Sequence, residues 1–198
     1  ENIMPLGANK AAIMGVAGVS TADVVLLQTL NADESANLSF TSGIDSTYGE
    51  YVFAFYNFHG ADDESPIFHV SIDGGSNYNV THTSVTAYTY QYESNSSQNF
   101  SHLSAVQQAT GFITLQSTTG GATAADNSGT GYVHLFNPSS TTYVKHFLCF
   151  GTGQHPNGSF NSLYGGGYFN TTDNIDAVQF KMGTGNIDTG RVKMWGVK

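Results

Sequence analysis

Apolar and polar residues alternate with a period of two from about residue 22 to the end of the chain. This period places successive side chains on opposite faces of a β-strand, and the 3.6-residue period of a helix is hard to find. The stretches DVVLLQTL, IFHVSID, SVTAYTYQY and GFITLQS each read as one strand. In IFHVSID, Phe68, Val70 and Ile72 share one face, and His69 and Ser71 share the other. The pattern predicts an all-β protein.

In the stretch EYVFAFYNF, residues 50–58, odd and even positions are both mainly apolar. A strand that is apolar on both faces must be covered on both sides. It therefore belongs either in the middle of a sandwich or in a sheet whose outer face meets another subunit. On the second interpretation, the candidate subunit-interface residues are Tyr51, Phe53 and Phe55.

Eight to eleven short strands joined by turns predict an antiparallel β-sandwich, most like a jelly roll. It would span residues 21–198, with residues 1–20 as a short N-terminal arm. GYVHLFN and TTYVKHFLCFG form a predicted hairpin across PSS. The final 24 residues, IDAVQFKMGTGNIDTGRVKMWGVK, alternate, pause at GTGN and alternate again. We expect the last strand to lie between two neighbouring strands of a sheet.

Three stretches rich in glycine or polar residues read as exposed loops, at residues 93–110, 118–131 and 151–168. Glycine and asparagine accept the backbone conformations of turns, so their density favours loops over strands. The first stretch could instead hold one short helix around HLSAVQQ, and the third could hold one strand near its end.

The charge distribution excludes some partners. The chain carries 15 acidic and 6 basic residues, and no Lys or Arg lies between Lys10 and Lys145. Most of this surface would repel a phosphate backbone or an anionic membrane, so we expect no nucleic-acid partner and no membrane binding. No apolar run approaches the length of a membrane span. Because only 11% of residues are charged, solubility depends on Ser, Thr, Asn, Gln and Gly.

Candidate chemistry is sparse. The single cysteine, Cys149, lies in an apolar run and reads as a buried, inert thiol. None of the seven histidines has zinc-site spacing, and the sequence contains no GxSxG, P-loop or dinucleotide motif. The acidic loop HGADDE could bind calcium or simply be solvated. SIDGGSNY resembles an Asp-box turn, in which Asp73 would bond its own backbone. We expect no enzymatic activity, no cofactor and no bound metal.

Aromatic residues are the best candidates for ligand contact. Tyr88, Tyr90 and Tyr92 recur at every second position and so share one sheet face, with Trp195 as a further candidate near them. Tyrosine can stack on a sugar or anchor a protein contact. The alternative interpretation of the same pattern is core packing.

Three stretches resemble the small structural proteins of marine tailed bacteriophages. MPLGANKAAIMGVAG is similar to their opening, and FTSGIDSTYGEYVFAFYNFHGADD with HVSIDGGSNYNV is similar to their middle. IDAVQFKMGTGNIDTGRVKMWGVK resembles their closing hairpin, with Thr184-Gly185-Asn186-Ile187 at the turn and Met194-Trp195-Gly196-Val197 near the end. The resemblance covers about half of the chain.

The resemblance implies a virion component on the particle surface, either a head decoration protein or a tail-fibre component. Such a protein would be non-enzymatic and would assemble as a homo-oligomer, which we expect to be a trimer, alongside other virion proteins. Its loops could contact a host-surface glycan. No site residues transfer from the resemblance.

Two rival classes share the predicted sandwich. A carbohydrate-binding module would use the tyrosines to bind a soluble glycan as a monomer. A sandwich-fold hydrolase or lyase would need a cleft of basic residues and tyrosines, and residues 11–144 contain no Lys or Arg.

Overall fold

A computed structural model describes residues 23–119, 121 and 126–198, which form two antiparallel β-sheets and no helix. The prediction of an all-β sandwich is confirmed. The predicted arm, residues 1–20, and part of the predicted loop 118–131 lie outside the described residues. The twelve strands are β1 Val24–Ser35, β2 Leu38–Phe40, β3 Glu50–Gly60, β4 Pro66–Ser71, β5 His82–Tyr92, β6 Gln98–Ala109, β7 Ile113–Thr114, β8 Gly129–Phe136, β9 Lys145–His155, β10 Ser159–Phe169, β11 Ala177–Met182 and β12 Ile187–Val197.

The strands divide unequally between the sheets. The large sheet has eight strands in the order β1-β12-β3-β8-β9-β10-β5-β6, and the small sheet has four in the order β2-β11-β4-β7. Consecutive strands cross repeatedly between the sheets, as β1 to β2, β2 to β3 and β3 to β4 do, which is jelly-roll-like. The hairpin of β8 and β9 is confirmed, and β12 lies between β1 and β3 as expected.

The core lies between the two sheets. Phe40 and Phe180 of the small sheet meet Phe53 of the large sheet, with ring centroids 5.4 Å and 5.8 Å apart. Phe68 meets Phe147 at 5.5 Å. Edge-to-face and tilted contacts of this kind add to the free energy gained by burying the rings. The small sheet packs on one face of the large sheet, and no strand of the described residues covers the other face.

β4 is buried on both faces, unlike the predicted pattern. His69 and Ser71 are fully buried, and Ile72, predicted to share a face with Val70, lies just beyond the strand and is exposed. The strand lies between β11 and β7, and its second face is covered by aromatic residues, including Phe112. Period-two alternation therefore identified the strand but not its burial.

The loops predicted at residues 93–110 and 151–168 are wrong over most of their length. Residues 98–109 form β6, which pairs with β5 at the edge of the large sheet, so neither the long loop nor the short helix is present. Its polar composition fits an edge strand that faces solvent. Residues 151–168 lie in the β9–β10 hairpin, whose turn spans residues 156–158.

Two glycines in this hairpin lie against the backbone of other segments. A Cβ at Gly151 would overlap the carbonyl oxygen of Leu115, and one at Gly167 would overlap the carbonyl oxygen of Thr83. Glycine allows this close approach of backbones within a strand. Composition suggested turns, but tertiary contact is the physical reason for the glycines.

The predicted closing hairpin is also wrong. β11 pairs with β2 and β4 in the small sheet, whereas β12 pairs with β1 and β3 in the large sheet. The GTGN stretch is therefore a corner between sheets. Gly185 has a φ of +69°, and a side chain there would meet the carboxylate of Asp62. Local sequence cannot distinguish such a corner from a hairpin turn because both require the same backbone freedom.

Candidate functional site

The predicted subunit-interface residues lie inside the protein. Tyr51, Phe53 and Phe55 have no exposed surface and belong to the core between the sheets. The Tyr51 hydroxyl also donates to the carbonyl oxygen of Asp45 at 3.0 Å. Because the monomer already buries these three side chains, the prediction that they form a subunit interface is wrong. The opposite face of β3 carries Val52, Ala54 and Tyr56, which point away from the core.

The outward side of the large sheet carries a continuous apolar surface. We call the exposed or half-exposed residues at its centre the outer aromatic face: Val85, Tyr132, Leu148, Phe150 and Tyr164. Tyr132 pairs with Phe150 across β8 and β9, and Phe150 pairs with Tyr164 across β9 and β10. Their ring centroids lie 5.5 Å and 4.7 Å apart. None of the five side chains is charged.

The outer aromatic face has both protrusions and hollows. Leu148 is 55% exposed, Tyr164 54% and Val85 53%, so these side chains project from the sheet. Leu148 and Val85 flank Gly166 in the cross-strand register, and the glycine leaves a depression between them. A shallow hollow of about 350 Å³ includes Gly166, and another of about 280 Å³ lies beside Tyr132 and Tyr164.

The tyrosines predicted to face a ligand lie on the opposite side of the same sheet. Tyr88, Tyr90 and Tyr92 share one face, with successive ring centroids 5.9 Å and 5.7 Å apart. Tyr88 packs against the core, and all three are half-buried. Tyr92 accepts a hydrogen bond from the amide of Asn157 at 3.0 Å. Their shared face is as predicted, with Tyr88 partly in the core.

Trp195 is not near the tyrosines. It lies on β12, five strand positions from β5, which is about 24 Å at ordinary strand spacing. Val192 and Met194 of the same strand face the core, so Trp195 faces outward. Lys193 Nζ lies 5.9 Å from its ring centroid. The structure therefore does not bring the four candidate residues into one site.

An open groove of about 680 Å³ lies at one end of the sandwich, where β3 begins and β8 ends. We call it the end groove. One wall is the segment before β3, and the other is the loop between β8 and β9. It is lined by Ser46, Tyr48, Gly49, Phe136, Asn137, Ser139, Ser140, Tyr143, Val144 and His146. Four of these side chains are aromatic rings, and none carries a carboxylate, ammonium or guanidinium group.

Hydrogen bonds fix both walls of the end groove. Asn137 N–H donates to the carbonyl oxygen of Gly49 at 2.7 Å and joins the two walls. Ser140 Oγ accepts from the N–H groups of Thr142 and Tyr143 at 3.3 Å and 3.1 Å. On the other wall, Tyr48 packs edge-to-face on the buried ring of Tyr51 at 5.8 Å.

A buried lysine lies beneath the β8–β9 loop. Lys145 has no exposed surface, and its Nζ donates to the carbonyl oxygens of Ser140 at 2.5 Å and Thr171 at 3.1 Å. Burial lowers the pKa of Lys145, and the charge of Asp173 opposes that shift. The ammonium group thus connects one wall of the end groove to the segment that follows β10.

We expect Lys145→Met to destabilise the protein by about 1–3 kcal/mol, because two buried carbonyl oxygens lose their donor while the aliphatic stem is kept. Urea unfolding followed by circular dichroism measures the change. Lys193→Met is the matched control, since the Lys193 ammonium lies over the rings of Tyr56 and Trp195 and the substitution should cost at most about 1 kcal/mol. Equal losses in both variants would contradict a bridging role for Lys145.

Two histidines form a buried pair that the sequence did not indicate. His69 and His82 have ring centroids 5.6 Å apart, and at most 2% of either residue is exposed. His69 Nδ1 donates to Val70 O at 3.0 Å and His82 Nε2 donates to Gly111 O at 2.9 Å, because a carbonyl oxygen can only accept. The other ring nitrogens, His69 Nε2 and His82 Nδ1, have no hydrogen-bond partner among the residues that the structure describes. Burial lowers the pKa of His69 to about 4 and also lowers that of His82.

The acidic loop does not converge on one point. Asp62, Asp63 and Glu64 lie beside three different glycines, Gly185, Gly121 and Gly183 respectively. Among the residues that the structure describes, no three or more His, Cys, Asp or Glu side chains are placed to hold a metal ion. The described part of the chain likewise has no helix long and apolar enough to cross a membrane.

Two further predictions concern local chemistry. Asp73 does stiffen its own turn, since Oδ1 accepts from Asn77 N–H at 2.9 Å. Hydrogen bonds from Asn77 and Ser71 lower the pKa of Asp73 to about 2.

Cys149 is buried as expected, and burial raises the pKa of its thiol to about 12. A thiol with that pKa stays protonated at neutral pH and is a poor nucleophile.

Comparison of the chain with protein-family models, with curated proteins and with solved structures found no match.

The sequence contained an overlooked indication of the outer aromatic face. In β8 and β9, odd and even positions are both mainly apolar, as in YVHLF and HFLCF. Once one face of each strand packs on the core, an apolar face remains on the outside. The end groove had no such indication. Its two walls are about 90 residues apart in sequence, and only the fold brings Tyr48 to Tyr143.

Proposed function

We propose that the protein is a non-enzymatic structural protein that assembles into a homo-oligomer through its outer aromatic face. The observation that carries this proposal is the row of Tyr132, Phe150 and Tyr164 with the adjacent Leu148 and Val85, all on a sheet face that no strand of the described residues covers. Contiguous exposed apolar surface on a soluble protein marks an interaction site. Burial of such a surface is the main favourable contribution to protein association.

A second copy of the same chain fits this face best. The outer aromatic face is uncharged, whereas the chain has a net charge of −9, so pairing these faces brings together no like charges within them. Projecting side chains lie beside hollows on the same surface, as a self-complementary, two-fold interface requires. Sheet-to-sheet packing of two copies would give a dimer, whereas the prediction from the sequence is a trimer.

The assembly is proposed to lie on the surface of a bacteriophage particle, as a head decoration protein or a tail-fibre component. The support is the sequence resemblance, together with a compact β-fold and few charged residues. An interface built from apolar contacts is little weakened by the salt that screens surface charges. An antibody against the chain is expected to label the surface of intact phage particles whose genome encodes it. Absence of the protein from purified particles would contradict this location.

We expect light scattering during size-exclusion chromatography to give a mass well above the 21.1 kDa of one chain at about 100 µM. The same measurement distinguishes a dimer from a trimer. Leu148→Ser should weaken assembly by about tenfold or more, because it removes the projecting apolar side chain from the centre of the face. A wild-type monomer at this concentration would contradict the proposal.

Phe100→Ser is the matched control for this experiment. Phe100 is 69% exposed and lies on the edge strand β6, on the same side of the large sheet as Tyr164 but two strands away from it, so it is not one of the residues of the outer aromatic face. It should assemble as the wild type does. If Phe100→Ser dissociates the oligomer and Leu148→Ser does not, the subunits associate through the edge of the sheet and the proposed interface is wrong.

A further inference from the structure

The end groove combines aromatic rings with short polar side chains in a way that a structural role does not require. Tyr48, Phe136, Tyr143 and His146 contribute rings, while Ser46, Asn137, Ser139 and Ser140 contribute hydroxyl and amide groups. Its volume of about 680 Å³ lies within the range of small-molecule sites. We propose that the end groove binds the end of a neutral saccharide.

The two kinds of side chain match the two kinds of surface on a sugar. A pyranose ring presents apolar C–H groups on its faces, which pack against an aromatic ring, and hydroxyl groups at its rim, which need hydrogen-bond partners. Tyr143 is 74% exposed and can meet a sugar face without rearrangement of the core. Asn137 and Ser139 offer an amide and a hydroxyl on the same loop.

Charge selects a neutral saccharide over an anionic one. A sialylated, uronic or sulfated glycan would require a cationic partner, and the lining of the end groove has none. Lys145 follows the loop directly, but its ammonium group points into the protein and is bonded to two carbonyl oxygens. The net charge of −9 would also disfavour an anionic ligand.

The walls are fixed before any ligand binds. The Asn137–Gly49 hydrogen bond joins them, Ser140 Oγ caps the turn that carries Tyr143, and the buried Lys145 holds that turn from below. A pre-organised site loses less entropy on binding than a mobile loop does. The features that hold the groove therefore favour recognition as well as stability.

The groove adjoins the proposed assembly interface without being part of it, since Phe136 stacks on His134, whose ring in turn contacts Tyr132. It shares no residue with the outer aromatic face, and its rings are not those of Tyr88, Tyr90 and Tyr92. Saccharide binding at the end groove can therefore be tested whether or not the protein self-assembles.

Saturation-transfer NMR with the full-length protein tests the inference, using lactose, cellobiose, maltose and chitobiose at about 10 mM as probes, followed by calorimetric titration of any that binds. At least one probe should show saturation transfer and a millimolar or tighter dissociation constant. Tyr143→Ala should weaken this affinity about tenfold, because it removes a stacking surface without touching the core. Phe100→Ala, which removes an equally exposed ring from β6, should bind as the wild type does.

Three results would overturn the inference. They are absence of saturation transfer from all four probes, unchanged affinity in Tyr143→Ala, and equal weakening by Phe100→Ala.

Affinity should also be the same in about 50 mM and 500 mM salt, since no charged contact is involved. A steep salt dependence would mean that an ionic site elsewhere binds the ligand. Light scattering of Tyr143→Ala, which should match the wild type, separates loss of binding from loss of assembly.

Discussion

Replacing Phe68 with alanine is expected to lower the free energy of unfolding by about 3–5 kcal/mol. Phe68 is fully buried in β4, and its ring lies 5.5 Å from Phe147, 6.1 Å from Phe180 and 6.4 Å from Phe169. These neighbours come from both sheets, so they cannot all move inward to fill the space. Because domains are stable by only about 5–15 kcal/mol, the variant should lie close to unfolding at room temperature.

Urea unfolding followed by far-ultraviolet circular dichroism measures this loss. Phe68→Leu retains most of the buried volume and should cost clearly less, about 1–2 kcal/mol. Phe100→Ala is the surface control and should change stability by no more than about 0.5 kcal/mol, since Phe100 is largely exposed. If the two alanine variants proved equally stable, the core would not be the one described here.

Acid is expected to remove about 3 kcal/mol of stability through His69 as the pH falls from 6.5 to 4. Burial, assisted by the neighbouring His82, holds the pKa of His69 at about 4, below the unfolded value of about 6.5. The unfolded chain therefore binds a proton in this window that the folded chain does not. This contribution is fully present above pH 6.5 and declines as the pH falls towards 4.

The geometry explains why the folded protein resists protonation. Protonation of His69 would add a proton at Nε2, which has no hydrogen-bond partner in the described part of the chain. The His69 ring is surrounded by the rings of His82, Phe112 and Phe169. The lowered pKa of His82 adds to the loss in the same direction.

Unfolding free energies measured in urea between pH 7.5 and pH 4 test this prediction. His69→Phe should show a shallower loss, because the residue that protonates only on unfolding is gone, and the difference from the wild type isolates His69 from the carboxylates. His102→Phe is the control, since His102 is exposed on β6, and it should follow the wild-type curve. Identical pH curves for wild type and His69→Phe would refute the buried-pair explanation.

Most individual strands could be predicted from the sequence, but their partners could not. EYVFAFYNF was predicted to be a strand covered on both faces, and the structure buries one of those faces in the sandwich core. The prediction assigned the wrong set of alternate residues to the outer face, because odd and even positions of this strand are both apolar. Only contact with the small sheet selects Phe53 and Phe55 for the core. The same ambiguity hid the outer aromatic face of β8 and β9, which is recognisable only once the inner parity has been assigned.

The loops predicted from polar and glycine-rich segments were wrong for a different reason. β6 has the composition of a loop because one of its edges has no neighbouring strand among the described residues. β10 has three consecutive glycines because a side chain there would meet atoms of the neighbouring strands β5 and β9. In both segments the local composition reflects a tertiary environment rather than a turn. The prediction that the closing strands form a hairpin was wrong for a similar reason, since a corner between sheets and a hairpin turn need the same residues.

The sequence by itself determined the all-β class, most strand positions, the buried thiol, the Asp73 turn and the terminal strand's place between two others. These features follow from period two, from side-chain volume and from bonds between near neighbours in the chain. Only the tertiary structure decided the eight-plus-four division, the outward face, the His69–His82 pair and the end groove. Each of these depends on contacts between residues far apart in sequence, and such contacts leave no local period to detect.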